Sequence, residues 1–160
     1  MNLKNLGDVA NLIAALGVIG SLLFVAYEVN QNTEASLAAN RQTVIADLRD
    51  GLLVRAQSPS LAAALAAAAS GGELTASQES QYRAYFYQAI KSAEGAFAQY
   101  VDGQLDREYL DTRLAGLMIP EFLGNDLGRS HFERWKTDGQ LTAGFSQEVD
   151  AHLSDRSNSD

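Results

Sequence analysis

The stretch VANLIAALGVIGSLLFVAY, from Val9 to Tyr27, carries no charged side chain and constrains this chain more than any other feature. At 1.5 Å per residue a helix of about 19 residues rises about 28 Å, close to the hydrocarbon thickness of a bilayer. It reads as a transmembrane helix. A cleaved secretory signal is a poorer reading, because the run is longer than a usual signal core. Its end, Phe24-Val25-Ala26-Tyr27-Glu28, also offers no clean pair of small residues for cleavage. A buried helix of a soluble protein is the third reading.

Within the run, Ala10, Ala14, Gly17 and Ser21 are spaced by four, three and four residues, which puts small side chains on one helical face. Gly17-x-x-x-Ser21 is the pattern by which membrane helices approach closely, so self-association through this face is expected. Tyr27 and Glu28 close the run and Gln31, Asn32 and Thr33 follow. An aromatic ring at headgroup level followed by a carboxylate and amides describes a membrane exit. A carboxylate facing a pore or a partner's cation is the sharper reading of Glu28.

No Gly or Pro interrupts the chain between Ser21 and Asp50, and apolar residues recur at Leu37, Val44, Ile45, Leu48 and Leu52. The membrane helix is therefore expected to continue into a water-exposed part until Ser58-Pro59 stops it and starts another. An Ala-rich helix ends at Gly71-Gly72. Thr75-x-x-Gln78 then forms a capping box before a stripe of Tyr82, Phe86, Ile90, Ala93, Phe97 and Tyr100, the expected core helix. Asp106 is expected to cap a helix reaching about Met118, with Pro120 opening a short segment and Gly124 and Gly128 breaking the pattern again. Phe132 and Trp135 share a helical face, and Ser146 is expected to cap a last helix carrying Val149 and Leu153. The division is thus an anchor over 1–30, a helical domain over 31–153 and a polar tail over 154–160. The fold class is all-α, a transmembrane helix continuing into an antiparallel helical bundle.

Composition narrows function by exclusion. A net charge of -8 and a pI near 4.7 argue against a nucleic-acid partner, since phosphate binding needs clustered Lys and Arg. Without cysteine the chain has neither disulfides nor thiolate ligands, and it contains no Asn-x-Ser/Thr acceptor. His131 and His152 show no partner at metal-ligand spacing matched elsewhere, so no metal is expected. No phosphate loop or nucleophile elbow is present either. Asp102, Asp106, Glu108 and Asp111 read as a charged turn with a cap. Glu94, mid-helix beside the aromatic stripe, is expected to be buried against a cation, with Lys91, Arg113 and Arg134 available by type.

The segments YEVNQNTEA (27–35) and AFAQYVDGQLD (96–106), with the late Phe132 and Trp135, resemble a family of small uncharacterised bacterial proteins. Gln31-Asn32-Thr33, Glu94, Gln99-Tyr100, Gly103 and Trp135 carry the resemblance. It implies a single hydrophobic helix, a Gln-Asn-Thr signature at the membrane exit and a helical domain, and it supplies no catalytic residue. The Arg usual before Gln-Asn-Thr is Asn30 here, which removes a charge that would orient the helix.

These readings converge on a membrane-anchored interaction or assembly subunit without catalysis or cofactor, partnered by the bilayer and by a second copy or another membrane protein. Its expected place is the bacterial inner membrane, single-pass, with the domain in the cytoplasm. A homo-oligomeric channel or transport accessory with Glu28 facing the lumen, and a soluble helical ligand binder or enzyme, are the rival classes.

Overall fold

A computed structural model describes residues 3–157, with side chains described for 11–155 except 117; the side chain of Ala10 and residues 158–160 of the expected tail lie outside that set. The protein is all-α, with no strand among the described residues. Its elements are α1 (Leu3–Gln57), α2 (Pro59–Ala69), α3 (Ala76–Val101), α4 (Arg107–Arg113), a π-wound segment (Leu114–Leu123), α5 (Asp126–Thr137) and α6 (Ala143–Ser157). Two compact units divide between Ala39 and Asn40.

The first unit is helical, and its described residues up to Ser36 are all exposed. Ser21 Oγ donates to Gly17 O at 2.9 Å and Thr33 Oγ1 to Val29 O at 2.9 Å, so both hydroxyls are satisfied within their own helix.

In the second unit, local signals set most helix ends. Ser58 Oγ accepts from Leu61 N with Pro59 at the first helical position, and Gly71 closes α2 at φ +70°. Thr75 and Gln78 form the reciprocal capping box that starts α3. Tyr82, Phe86, Ile90 and Ala93 are fully buried along α3, and α2, α4, α6 and the π-wound segment pack against that helix. The Phe86 ring stacks on Phe122 at 4.6 Å between centroids and tilts against Trp135 at 4.9 Å. Phe97 and Tyr100, expected in the core, are half-buried at its margin.

Several expected boundaries move. Pro120 lies inside the π-wound segment and does not open a new one. A proline ring clashes with the carbonyl four residues back in an α-helix and has no N–H to donate, and the wider π winding accommodates both. Gly128 is buried within α5, so it breaks nothing. A Cβ there would meet the Phe122 carbonyl carbon at 2.7 Å and Tyr82 Oη at 2.9 Å, so glycine permits the close approach of α5. Asn125 caps α5 by accepting from Gly128 N at 2.9 Å. The last helix starts at Ala143, ahead of Ser146, whose hydroxyl donates back to Thr142 O at 3.0 Å; it continues to Ser157, through the described part of the expected tail.

The apolar stripe expected along the second half of α1 is mostly not a buried face. Val44 is buried, whereas Ile45 and Leu52 are more than half exposed. Polar contacts hold this segment instead. Asn40 Nδ2 donates to Gln104 O at 3.0 Å, Arg41 pairs with Asp106, Ser92 Oγ donates to Asp47 Oδ2 at 2.8 Å, Tyr85 Oη donates to Gly51 O at 2.9 Å, and Arg55 pairs with Glu121. Asp106 stands at the start of α4 without a side-chain cap bond because Arg41 engages it.

Phe86→Ala is expected to cost about 3 to 5 kcal/mol, with a smaller loss for the half-buried Phe97→Ala. Urea unfolding followed by the fluorescence of Trp135, the single tryptophan, reads both. A Phe86→Ala loss below about 1 kcal/mol would mean that the aromatic stack is not the centre of this core.

Candidate functional sites

Three places hold side chains whose arrangement goes beyond ordinary packing, and a fourth surface is defined by lacking any partner. That surface belongs to the first unit. Leu12, Leu16, Ile19, Leu23 and Phe24 are each more than half exposed, and the most apolar window of the helix, with mean hydropathy 2.1, contains no buried residue. This helix is long and apolar enough to cross a membrane. Ala14, Gly17 and Ser21 are exposed along it, and a Cβ at Gly17 or Gly20 would meet nothing within 4 Å. Tyr27, Glu28, Gln31, Asn32 and Thr33 are likewise exposed.

Glu94 is 8% exposed in the middle of α3. Its carboxylate pairs with Lys91 one turn earlier and accepts the Thr142 N–H through Oε1 at 2.6 Å, while Lys91 Nζ also donates to Gln140 O at 3.1 Å. The carboxylate thus satisfies a backbone donor at the entry to α6, where helix N–H groups otherwise lack partners. Burial pushes the Glu94 carboxyl up, but the bonds from Lys91 and Thr142 outweigh it and hold the group below its ordinary value. Of the cations available by type, Arg134 instead approaches Asp138 at 3.7 Å, and Arg113 lies elsewhere.

The second place joins α4 to α6. Arg107 reaches Asp111 through Nε at 2.7 Å and Glu148 through Nη2 at 2.7 Å, and His152 Nε2 lies 3.2 Å from Asp111 Oδ1. His152 therefore does have partners: Glu148 precedes it by one helical turn, and the fold supplies Asp111. The spacing Glu148-x-x-x-His152 was visible in the sequence, whereas Asp111 needed the docking of α4 on α6. One imidazole and two carboxylates form a ligand set by type, with their ligand atoms within 4.8 Å of one another. Arg107 already donates to both carboxylates, which ties α4 to α6 as a clasp within the protein. His131 is buried on α5 and stacks on Trp135 at 5.5 Å; burial pushes its imidazole pKa down, which keeps the ring neutral.

The third place is a cleft of about 280 Å³ between the second half of α1, α3, the end of α4 and the π-wound segment. Asp47, Leu52, Tyr85, Ser92, Arg113 and Phe122 are among its walls. Arg113 is 5% exposed and, among the described residues, makes neither a hydrogen bond nor an ion pair. Nothing in the sequence separated Arg113 from a cation meant for Glu94. Comparison with protein-family models, curated proteins and solved structures finds no match to this chain.

The depressed Glu94 pKa has a definite sign in stability. Its bonds contribute fully above the unfolded value near 4.5, and the contribution is lost as pH falls through the lower folded value. Glu94→Gln is expected to destabilise the domain near pH 7 by about 1 kcal/mol, a modest figure because the Lys91 side chain is 41% exposed. The variant's stability should also fall less steeply in acid. Greater stability of Glu94→Gln at pH 7 would contradict the pairing.

Proposed function

We propose that the protein is a membrane-anchored helical subunit for interaction or assembly, without catalysis of its own, held as a single pass in a bacterial inner membrane. The observation that carries this reading is the uncharged apolar surface of α1 from Asn11 to Tyr27, exposed over its whole circumference. Contiguous apolar patches on soluble monomers rarely exceed a few hundred Å², and a helix that is apolar all round requires an apolar surrounding. The internal bond of Ser21 and the position of Glu28 directly after the run fit a lipid surrounding. The resemblance to small bacterial single-pass proteins through Gln31-Asn32-Thr33 points the same way. A domain without cysteine or glycosylation acceptors suits the cytoplasmic side.

An assembly role draws on the small face. Gly17 and Ser21 leave backbone uncovered on one side, and close approach of a second helix there would gain van der Waals contact. The partner is a second copy or another single-pass helix.

Two measurements test the reading. The full chain should remain in the membrane pellet after high-salt and alkaline carbonate washes; release into the supernatant would end the anchor. Gly17→Leu should leave insertion unchanged, because leucine is lipophilic, and weaken self-association in detergent by about tenfold or more, in keeping with the sensitivity of close-packed faces. An unaltered mass distribution would mean that this face meets lipid alone.

A further inference from the structure

Arg113 presents an unresolved charge. Its guanidinium belongs to a residue 95% removed from solvent, and an arginine stays protonated at any ordinary pH. A largely buried cation that no acceptor touches is unfavourable, and native structures usually give such groups a direct partner. Asp47 is the acid whose charge is felt there, and it favours the charged guanidinium without bonding to it: its carboxylate accepts from Ser92 Oγ, while the neutral Tyr85 hydroxyl nearby donates to Gly51 O. No acceptor within the described chain bonds the guanidinium directly, and Arg113 lines the cleft of about 280 Å³.

We propose that this cleft binds a small organic monocarboxylate, whose carboxylate completes Arg113 and whose apolar body lies against Leu48, Leu52, Ala89 and Phe122. The planar fork of five N–H donors matches a carboxylate in two parallel bonds. The volume is at the lower end of small-molecule sites, which limits the ligand to a short chain or a single ring. Asp47 and Asp50 stand in the same walls, so a carboxylate is favoured only in direct contact with Arg113, and a second negative charge held away from that arginine would be repelled. This sets monocarboxylates apart from dicarboxylates and from phosphate. The inference does not rest on membrane anchoring, since every residue it uses lies in the second unit.

The wall formed by α1 differs in character from the others. That segment is held by polar contacts at Arg41, Asp47, Gly51 and Arg55, with Val44 the buried apolar residue. These contacts are polar and mostly half-buried, and they lie apart from the stacked rings of the aromatic core.

The test is thermal unfolding of the full chain in detergent, read by Trp135 fluorescence, with hexanoate and benzoate as probes and benzamide, succinate and inorganic phosphate as comparisons. Hexanoate or benzoate at millimolar concentration should raise the midpoint by about 3 °C or more, as selective binding to the native state does. Benzamide, succinate and phosphate should give little shift. Arg113→Met should lower affinity about tenfold or more and leave the ligand-free protein as stable as before or more so, because it removes an unpaired buried charge. Asp47→Asn provides a second arm: it keeps an acceptor for Ser92, should tighten monocarboxylate binding and should admit succinate. No shift with either monocarboxylate, equal shifts with succinate or phosphate, equal shifts in Arg113→Met, or an Asp47→Asn variant indifferent to succinate would each overturn the proposal. Marked destabilisation of ligand-free Arg113→Met would also overturn it, by showing that the arginine has a structural partner in the chain.

Discussion

An apolar helix surface that nothing in its own chain covers is the constraint on which the account of this protein depends. Between Asn11 and Tyr27 every described side chain is exposed, and a helix with that surface is costly in water. In hydrocarbon the same surface is at home, and the backbone polar groups are already paired within the helix. The second unit obeys the opposite rule. It encloses its own core, with Tyr82, Phe86, Phe122, Phe132 and Phe145 all removed from solvent.

Two kinds of interaction organise that second unit. Around α3 the chain is joined by stacked and tilted rings, and the loss of any one of them leaves a cavity. Along the second half of α1 it is joined by charges and hydrogen bonds. The two differ in consequence. Apolar packing is cooperative and insensitive to salt, whereas solvent-accessible ion pairs are worth about 0 to 1 kcal/mol each and weaken with ionic strength. The cleft beside Arg113 lies where these regimes meet, between the α1 segment and Phe122 of the aromatic core.

Legibility in the sequence followed the range of the physics. The apolar run, Ser58-Pro59, the Thr75/Gln78 capping box and the positions Tyr82, Phe86, Ile90 and Ala93 are written within a few residues, so local rules recovered them. What was missed depended on distant partners. The start of α6 moved because Glu94, 48 residues earlier, accepts the Thr142 N–H. Asp111 meets His152 across 41 residues. The α1 stripe misled because apolar periodicity registers side-chain type and not whether a neighbour arrives to cover it. Pro120 signals the opening of a new segment by local rules, because π winding, which holds it inside a continuous turn here, is rare. Arg113 was legible as a cation and illegible as an unpaired one, since pairing is a property of the folded surroundings.

The most direct test of the central claim uses the absence of cysteine, which makes the native chain a blank background for single-cysteine scanning. Cysteines placed singly at Leu16, Gly20, Leu23, Ser36 and Arg49 would be exposed to a water-soluble maleimide in membranes permeabilised to the reagent but not dissolved. The account predicts protection at Leu16, Gly20 and Leu23 that detergent unfolding removes, and ready labelling at Ser36 and Arg49. Labelling at Leu16, Gly20 and Leu23 as fast as at Ser36 would contradict it, because those positions would then face water and not hydrocarbon.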